Sequence, residues 1–90
     1  MFDFKIAETK TFKKLKENLD EKLYNKVKNV VYPQLRSNPY FGANIKKLKG
    51  EFEGTYRFRV GNYRLFYLVD SQEMLVFILE CKHRQGAYNS

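Results

Sequence analysis

The stretch that most constrains this chain is Gly61-Asn62 with the runs on either side of it. Thr55–Val60 and residues 63–69 are rich in aromatic and β-branched side chains, and the dipeptide between them suits a tight two-residue turn. A hairpin closed there has a defined register. Val60 lies opposite Tyr63, Phe58 opposite Leu65 and Tyr56 opposite Tyr67. All six are apolar or aromatic, so their shared face must pack on the rest of the fold. Successive strand residues alternate sides, which leaves Arg57, Arg59, Arg64 and Phe66 on the other face. Arg59 is then directly across from Arg64, and Arg57 across from Phe66.

Like charges opposed on a sheet destabilise it, so three arginines on that face do not stabilise the fold. Two readings compete. They are solvated edge residues paired with Glu51, Glu53 or Glu80, or they form an anion site of fixed geometry. The Arg59–Arg64 pairing favours the second, because guanidinium forks hold phosphate in fixed contacts. Lys82, His83, Arg84 and Tyr88 follow a third strand, which is expected to neighbour the second. A lone histidine is ordinarily a surface residue, and a late tyrosine ordinarily packs. Beside three arginines, however, these types suit RNA cleavage. Arg and Lys bind a scissile phosphate and stabilise its added charge. His or Tyr moves protons, and Tyr stacks on an unpaired base.

The rest of the chain reads as a strand over residues 2–7 and then two helices. Thr9 or Thr11 caps the first helix, which runs to about Asn18 with Phe12, Leu15 and Leu19 on one face. Asp20 caps the second, whose stripe is Leu23, Val27, Val30 and Val31. Pro33 is expected to kink or end it near Tyr32. The short connection around Asn18-Leu19-Asp20 implies an antiparallel helix hairpin. Residues 38–54 read mostly as loop, including the basic run Lys46-Lys47-Leu48-Lys49-Gly50. Residues 70–73 form a turn. Residues 74–79 form a strand that is apolar at every position, so its register is unreadable. The expectation is one α+β domain over residues 1–90. It has an N-terminal strand, an antiparallel helix hairpin and a three-stranded antiparallel meander, with the helices on one face of the sheet.

Charge agrees with an anionic partner. Seventeen basic residues against ten acidic give +7, which points to nucleic acid. Residues 1–50 hold the whole excess, with eleven Lys and one Arg, whereas four of the five basic residues in 51–90 are Arg. Lysine makes a diffuse field, so the first half steers and the second half grips. Lys13, Lys14, Lys46, Lys47, Lys49 and Lys82 are the candidate RNA-backbone contacts. Lys22, Lys26 and Lys28 read as a solvated helix face. The single cysteine, Cys81, excludes an internal disulfide and fits a reducing, cytoplasmic setting. No signal peptide or membrane span is read. The sole histidine and cysteine, at 83 and 81, make no convincing metal constellation, and no cofactor is expected.

The order Leu48-Lys49-Gly50, then Tyr56-Arg57-Phe58-Arg59-Val60-Gly61-Asn62-Tyr63-Arg64-Leu65-Phe66-Tyr67, then His83-Arg84-Gln85-Gly86-Ala87-Tyr88, resembles the RelE/ParE toxin superfamily. That signature is a Leu-x-Gly, a strand alternating aromatic and basic residues, a Tyr-Arg-Leu-x-Tyr strand, and a closing basic pair followed by Tyr. The resemblance implies a toxin of a type II toxin–antitoxin system. On its RelE side it implies metal-independent cleavage of mRNA in the A site of the 70S ribosome, with neutralisation by a cognate antitoxin. By position, Arg57 and Arg59 correspond to basic strand residues, and Arg64 to the arginine that contacts the scissile phosphate. His83 or Arg84 corresponds to the later basic residue, and Tyr88 to the terminal tyrosine. Arginine is effectively never deprotonated, so a general base has to come from His83, Tyr88 or Lys82. ParE-type relatives share the fold but act on DNA gyrase without a nuclease site, which is the alternative reading. The free toxin is expected to be monomeric.

Overall fold

A computed structural model describes residues 3–49 and 54–84. Strand β1 (Lys5–Glu8) leads into helix α1 (Lys10–Leu15), which tightens into a 3-10 turn over Lys16–Asn18. Helix α2 (Glu21–Lys26) continues through a π-helical stretch, Val27–Val31, into α3 (Tyr32–Ser37). Strands β2 (Ile45–Lys47), β3 (Thr55–Val60), β4 (Tyr63–Asp70) and β5 (Leu75–His83) follow. The strands form one sheet in the order β1-β5-β4-β3-β2. Only the β1–β5 pair is parallel. The fold is therefore α+β, as expected, with helices packed on one sheet face.

Two local expectations are corrected. Residues 38–54 are not simply loop, because Ile45–Lys47 pairs with β3 as an edge strand, Lys46 opposite Arg57. Three residues are too few for a periodic signal. Of the two outcomes expected at Pro33, a kink or an end, the end does not occur, and the helix runs to Ser37. The preceding turn is widened, and the Tyr32 N–H donates to Val27 O, five residues back. A π turn relieves the clash between a proline ring and the carbonyl one α-turn earlier. The same widening changes the buried stripe. Val27, Val31 and Leu35 are fully enclosed, while Val30 is 46% exposed. Four-residue spacing stays in phase through a widened turn, and three-residue spacing does not.

The core lies between these helices and the inner face of the sheet. Phe12, Val27, Val31 and Leu35 meet Leu65, Tyr67, Val76 and Ile78, each essentially excluded from solvent. Full burial of such a side chain stabilises by roughly 1.5–3 kcal/mol. Thr9 caps α1 as expected: its Oγ1 accepts from the Phe12 N–H at 3.2 Å. Its hydroxyl donates to Ile78 O at 2.8 Å, tying the helix start to β5. Asp20 sits at the N-cap of α2, but its side chain makes no capping bond.

The seam between β1 and the helices is polar. Glu8 accepts from Lys16 Nζ and from the Tyr24 and Tyr32 hydroxyls, each at 2.8 Å. Burial alone would raise the Glu8 pKa. The three hydrogen bonds and the lysine charge outweigh it and hold the carboxyl below the usual range. Burial and the Glu8 carboxylate push the Tyr32 hydroxyl far up, so it remains a donor.

Candidate functional site

The β3–β4 register is the one the turn predicts. Val60 faces Tyr63, Phe58 faces Leu65, Arg57 faces Phe66 and Arg59 faces Arg64. Gly61 has φ +58, and Asn62 is not in the positive-φ region. That combination belongs to a type II′ turn, which has glycine at its first central position. Phe58, Val60, Leu65 and Tyr67 are buried against the helices. The arginines therefore lie on the face the helices leave uncovered.

Strand β5 completes that face through a bulge. Tyr67 pairs with Ile78 but Phe66 pairs with Glu80, leaving Leu79 as an extra residue. Val76 and Ile78 point into the core on one side of the bulge, and Cys81 does on the other. Without the extra residue, Glu80 would point inward. With it, Glu80 and Lys82 join the outer face beside Phe66 and Arg64. Two rows result. Arg59, Arg64 and Lys82 stand abreast on three adjacent strands, and Lys46, Arg57, Phe66 and Glu80 run across four. Glu80 is the one carboxylate in these rows. It pairs with Lys82 at 3.1 Å, not with an arginine. Glu51 and Glu53, the other partners considered, lie outside the described residues.

The three arginines differ in environment. Arg59 is exposed and Arg57 half-buried. Arg64 is 7% exposed, and its guanidinium folds back on the hairpin turn. Its Nη1 donates to Gly61 O at 3.2 Å and Tyr63 O at 3.0 Å. Its Nε is buried with no acceptor. A buried donor left unmade costs about 1–3 kcal/mol, so Arg64 is held in place with hydrogen-bonding capacity uncommitted.

The remaining candidates separate. Lys46 shares the arginine face, while Lys47 pairs with Tyr56 and so lies on the helix side. Lys49 is exposed beyond β2. Lys13 lines a cleft of about 510 Å³ with Lys28, Arg36 and Glu8, bounded by β1 and the helices, and Lys14 is exposed on α1. His83 pairs with Tyr63, whose ring it meets edge-on at 5.3 Å. Residues that pair share a face, so His83 is on the side opposite Arg59, Arg64 and Lys82, at the end of β5. Arg84 follows it, exposed, its N–H donating to Asn62 O at 2.6 Å. Tyr88 lies outside the described residues. Burial pushes the Cys81 thiol up to about 11, which makes it a packing residue rather than a nucleophile. Among the described residues no three His, Cys, Asp or Glu side chains cluster as metal ligands would.

A helix pair on one face of a five-stranded sheet, with a cationic row on the other, defines a small basic α+β protein. The chain matches the family described as ParE toxin of type II toxin–antitoxin systems over residues 6–88, and it belongs to that family. It is 42% identical over 43 residues to Toxin RelG of Mycobacterium tuberculosis, a match spanning 48% of this chain and 49% of that protein. It superposes on a chain of the M. tuberculosis toxin–antitoxin complex RelBE2 with a TM-score of 0.80 and 28% identity, covering 91% of this chain and 99% of the other. The RelB–RelE antitoxin–toxin complex of Methanococcus jannaschii gives 0.71 and 27%, covering 92% and 95%.

Proposed function

We propose that this toxin is a metal-independent endoribonuclease that cleaves mRNA, in the ribosomal A site, by attack of a 2′-OH on the adjacent phosphate. The observation that carries the reading is the row Arg59, Arg64 and Lys82 on three neighbouring strands. Lys82 is paired with Glu80, but the opposed Arg59 and Arg64 destabilise an empty sheet and are stabilised by a phosphate bridging them. The relatives named RelG, RelBE2 and RelE support the same reading.

In the reaction, Arg64 and Arg59 hold the non-bridging oxygens and stabilise the charge of the pentacoordinate state. Arg57 and Lys46 extend the positive field along the substrate. The arginines cannot take the 2′-OH proton. That role, and protonation of the leaving 5′ oxygen, falls to Lys82, Tyr88 or His83, of which His83 stands on the other face at the strand end. Lys13, Lys14, Lys47 and Lys49 engage ribosomal RNA phosphates. The partner in the cell is an antitoxin of the RelB kind, seen with the relatives above, and the compartment is the cytoplasm.

Primer extension on mRNA after expression tests this. Arg59→Ala and Arg64→Ala should each abolish cleavage. Arg64 also anchors the hairpin turn, so the exposed Arg59 is the cleaner variant, with circular dichroism confirming its fold. Full cleavage by a folded Arg59→Ala protein would reject the proposal. Inhibition of gyrase supercoiling with intact mRNA would establish the ParE-type alternative, which the family description favours.

A further inference from the structure

We infer that Phe41 is a base-stacking platform for single-stranded RNA on the loop that leads into β2. The inference deepens the reading above and rests on it. Phe41 is 83% exposed, against 46% and 36% for the other exposed large apolar residues among those described, Val30 and Leu68. A single exposed apolar side chain is ordinary, but the setting of this one is not. The loop that presents it is tied down on both sides. Before it, Tyr67 Oη donates to Pro39 O at 2.7 Å. The Tyr40 ring packs edge-on against Phe4 and Tyr56 at 5.8 and 5.9 Å. After it, the Ile45 N–H donates to Gly42 O at 3.1 Å, and the Arg59 N–H donates to Asn44 O at 2.9 Å. The neighbouring aromatic is thus drawn into the fold, while the phenyl ring of Phe41 is left in water on an anchored support.

The loop is also fastened to the strand that carries Arg57 and Arg59. Asn44 is three residues from Phe41, which places the two within roughly 10 Å along the chain. Residues 38–49 contain Lys46, Lys47 and Lys49 and no acidic residue, and β3 contains two arginines and none. A flat apolar ring on a loop that runs into Lys46, Lys47 and Lys49 and is bonded to the strand of Arg57 and Arg59 matches one ligand class, a chain of π-faced bases joined by phosphates. An apolar anchor on a partner protein would meet the ring equally well but gains nothing from these cations unless it is itself acidic. The arginine row takes the scissile phosphate, and Phe41 takes the base of a nearby nucleotide. Stacking is tolerant of sequence, so Phe41 would set the position of the strand rather than its identity.

The test is fluorescence anisotropy of a labelled single-stranded hexaribonucleotide and of its abasic counterpart with the full chain. Phe41→Ala should weaken the hexanucleotide by roughly five- to 100-fold, the range for losing one stacked base. It should leave abasic binding and the salt slope unchanged, because no phosphate contact is lost. Phe41→Trp should keep the affinity. The chain has no tryptophan, so the introduced indole should report stacking directly through quenching. Equal affinity of Phe41→Ala and the parent, or an unquenched indole, would overturn the inference and leave the cleavage proposal standing. A parent chain that binds neither oligonucleotide would overturn the stacking inference, while the cleavage proposal is decided separately by primer extension on mRNA. Phe41→Ala that binds RNA normally but loses a co-expressed antitoxin would reassign the ring to protein docking and overturn it too.

Discussion

Glu8 shows how one side chain can join separate parts of this fold. It sits on the first strand and receives Lys16 from the 3-10 turn, Tyr24 from α2 and Tyr32 from α3. Glu8→Gln keeps the shape but weakens the acceptor for three donors, so it should cost about 1–3 kcal/mol, read from the urea midpoint at neutral pH. The pH dependence has a definite sign. The folded carboxyl titrates below its ordinary value near 4.5. Its stabilisation is therefore complete above that value and is lost as pH falls through the lower, folded pKa. The parent should lose stability more steeply than Glu8→Gln below about pH 4.5, and parallel curves would show that the carboxylate is not the titrating element. Arg59 makes a contrasting case. It is exposed, so truncation should move stability by no more than about 0.5 kcal/mol while removing cleavage.

At the scale of elements, the β3–β4 hairpin and the β5 bulge decide which side chains meet. The turn depends on Gly61 at φ +58, where an added Cβ would touch nothing within 4 Å. Gly61→Ala therefore tests backbone conformation without steric overlap. It should cost roughly 1–2 kcal/mol, and thermal unfolding should shift down by several degrees. An unchanged midpoint would mean that the turn tolerates an L-residue there. The hairpin register was legible because one face alternates strictly apolar, so a one-residue slip would turn that whole face outward. The bulge was not legible. Residues 74–79 are apolar on both sides, so no alternation marks the point where the phase changes. That silence left Glu80 as one of three candidate acidic partners and hid the separation of His83 from the arginines. Likewise, nothing local to Pro33 announces that the turn before it will widen.

Over the whole molecule, the net charge of +7 is distributed on two sides of the sheet. Lys46, Arg57, Arg59, Arg64 and Lys82 occupy the open face, while Lys13, Lys28 and Arg36 line the cleft beside β1. If five phosphates are engaged on the open face, the logarithm of RNA affinity should fall with that of salt at a slope of about −3 to −4. Lys46→Ala should reduce the slope by about one without altering sequence preference. A salt-independent affinity would show that the face is not an RNA backbone site.

Period-two alternation, a turn dipeptide and helical stripes are local properties, and the chain carries them openly. From them alone come the α+β class, the hairpin register and the gathering of Arg57, Arg59 and Arg64 on one face. The parallel union of β1 with β5, the edge strand at Ile45–Lys47 and the side to which His83 turns depend on contacts between distant segments. Such contacts form only when the core closes, because a short or wholly apolar segment has no preferred face until its neighbours supply one.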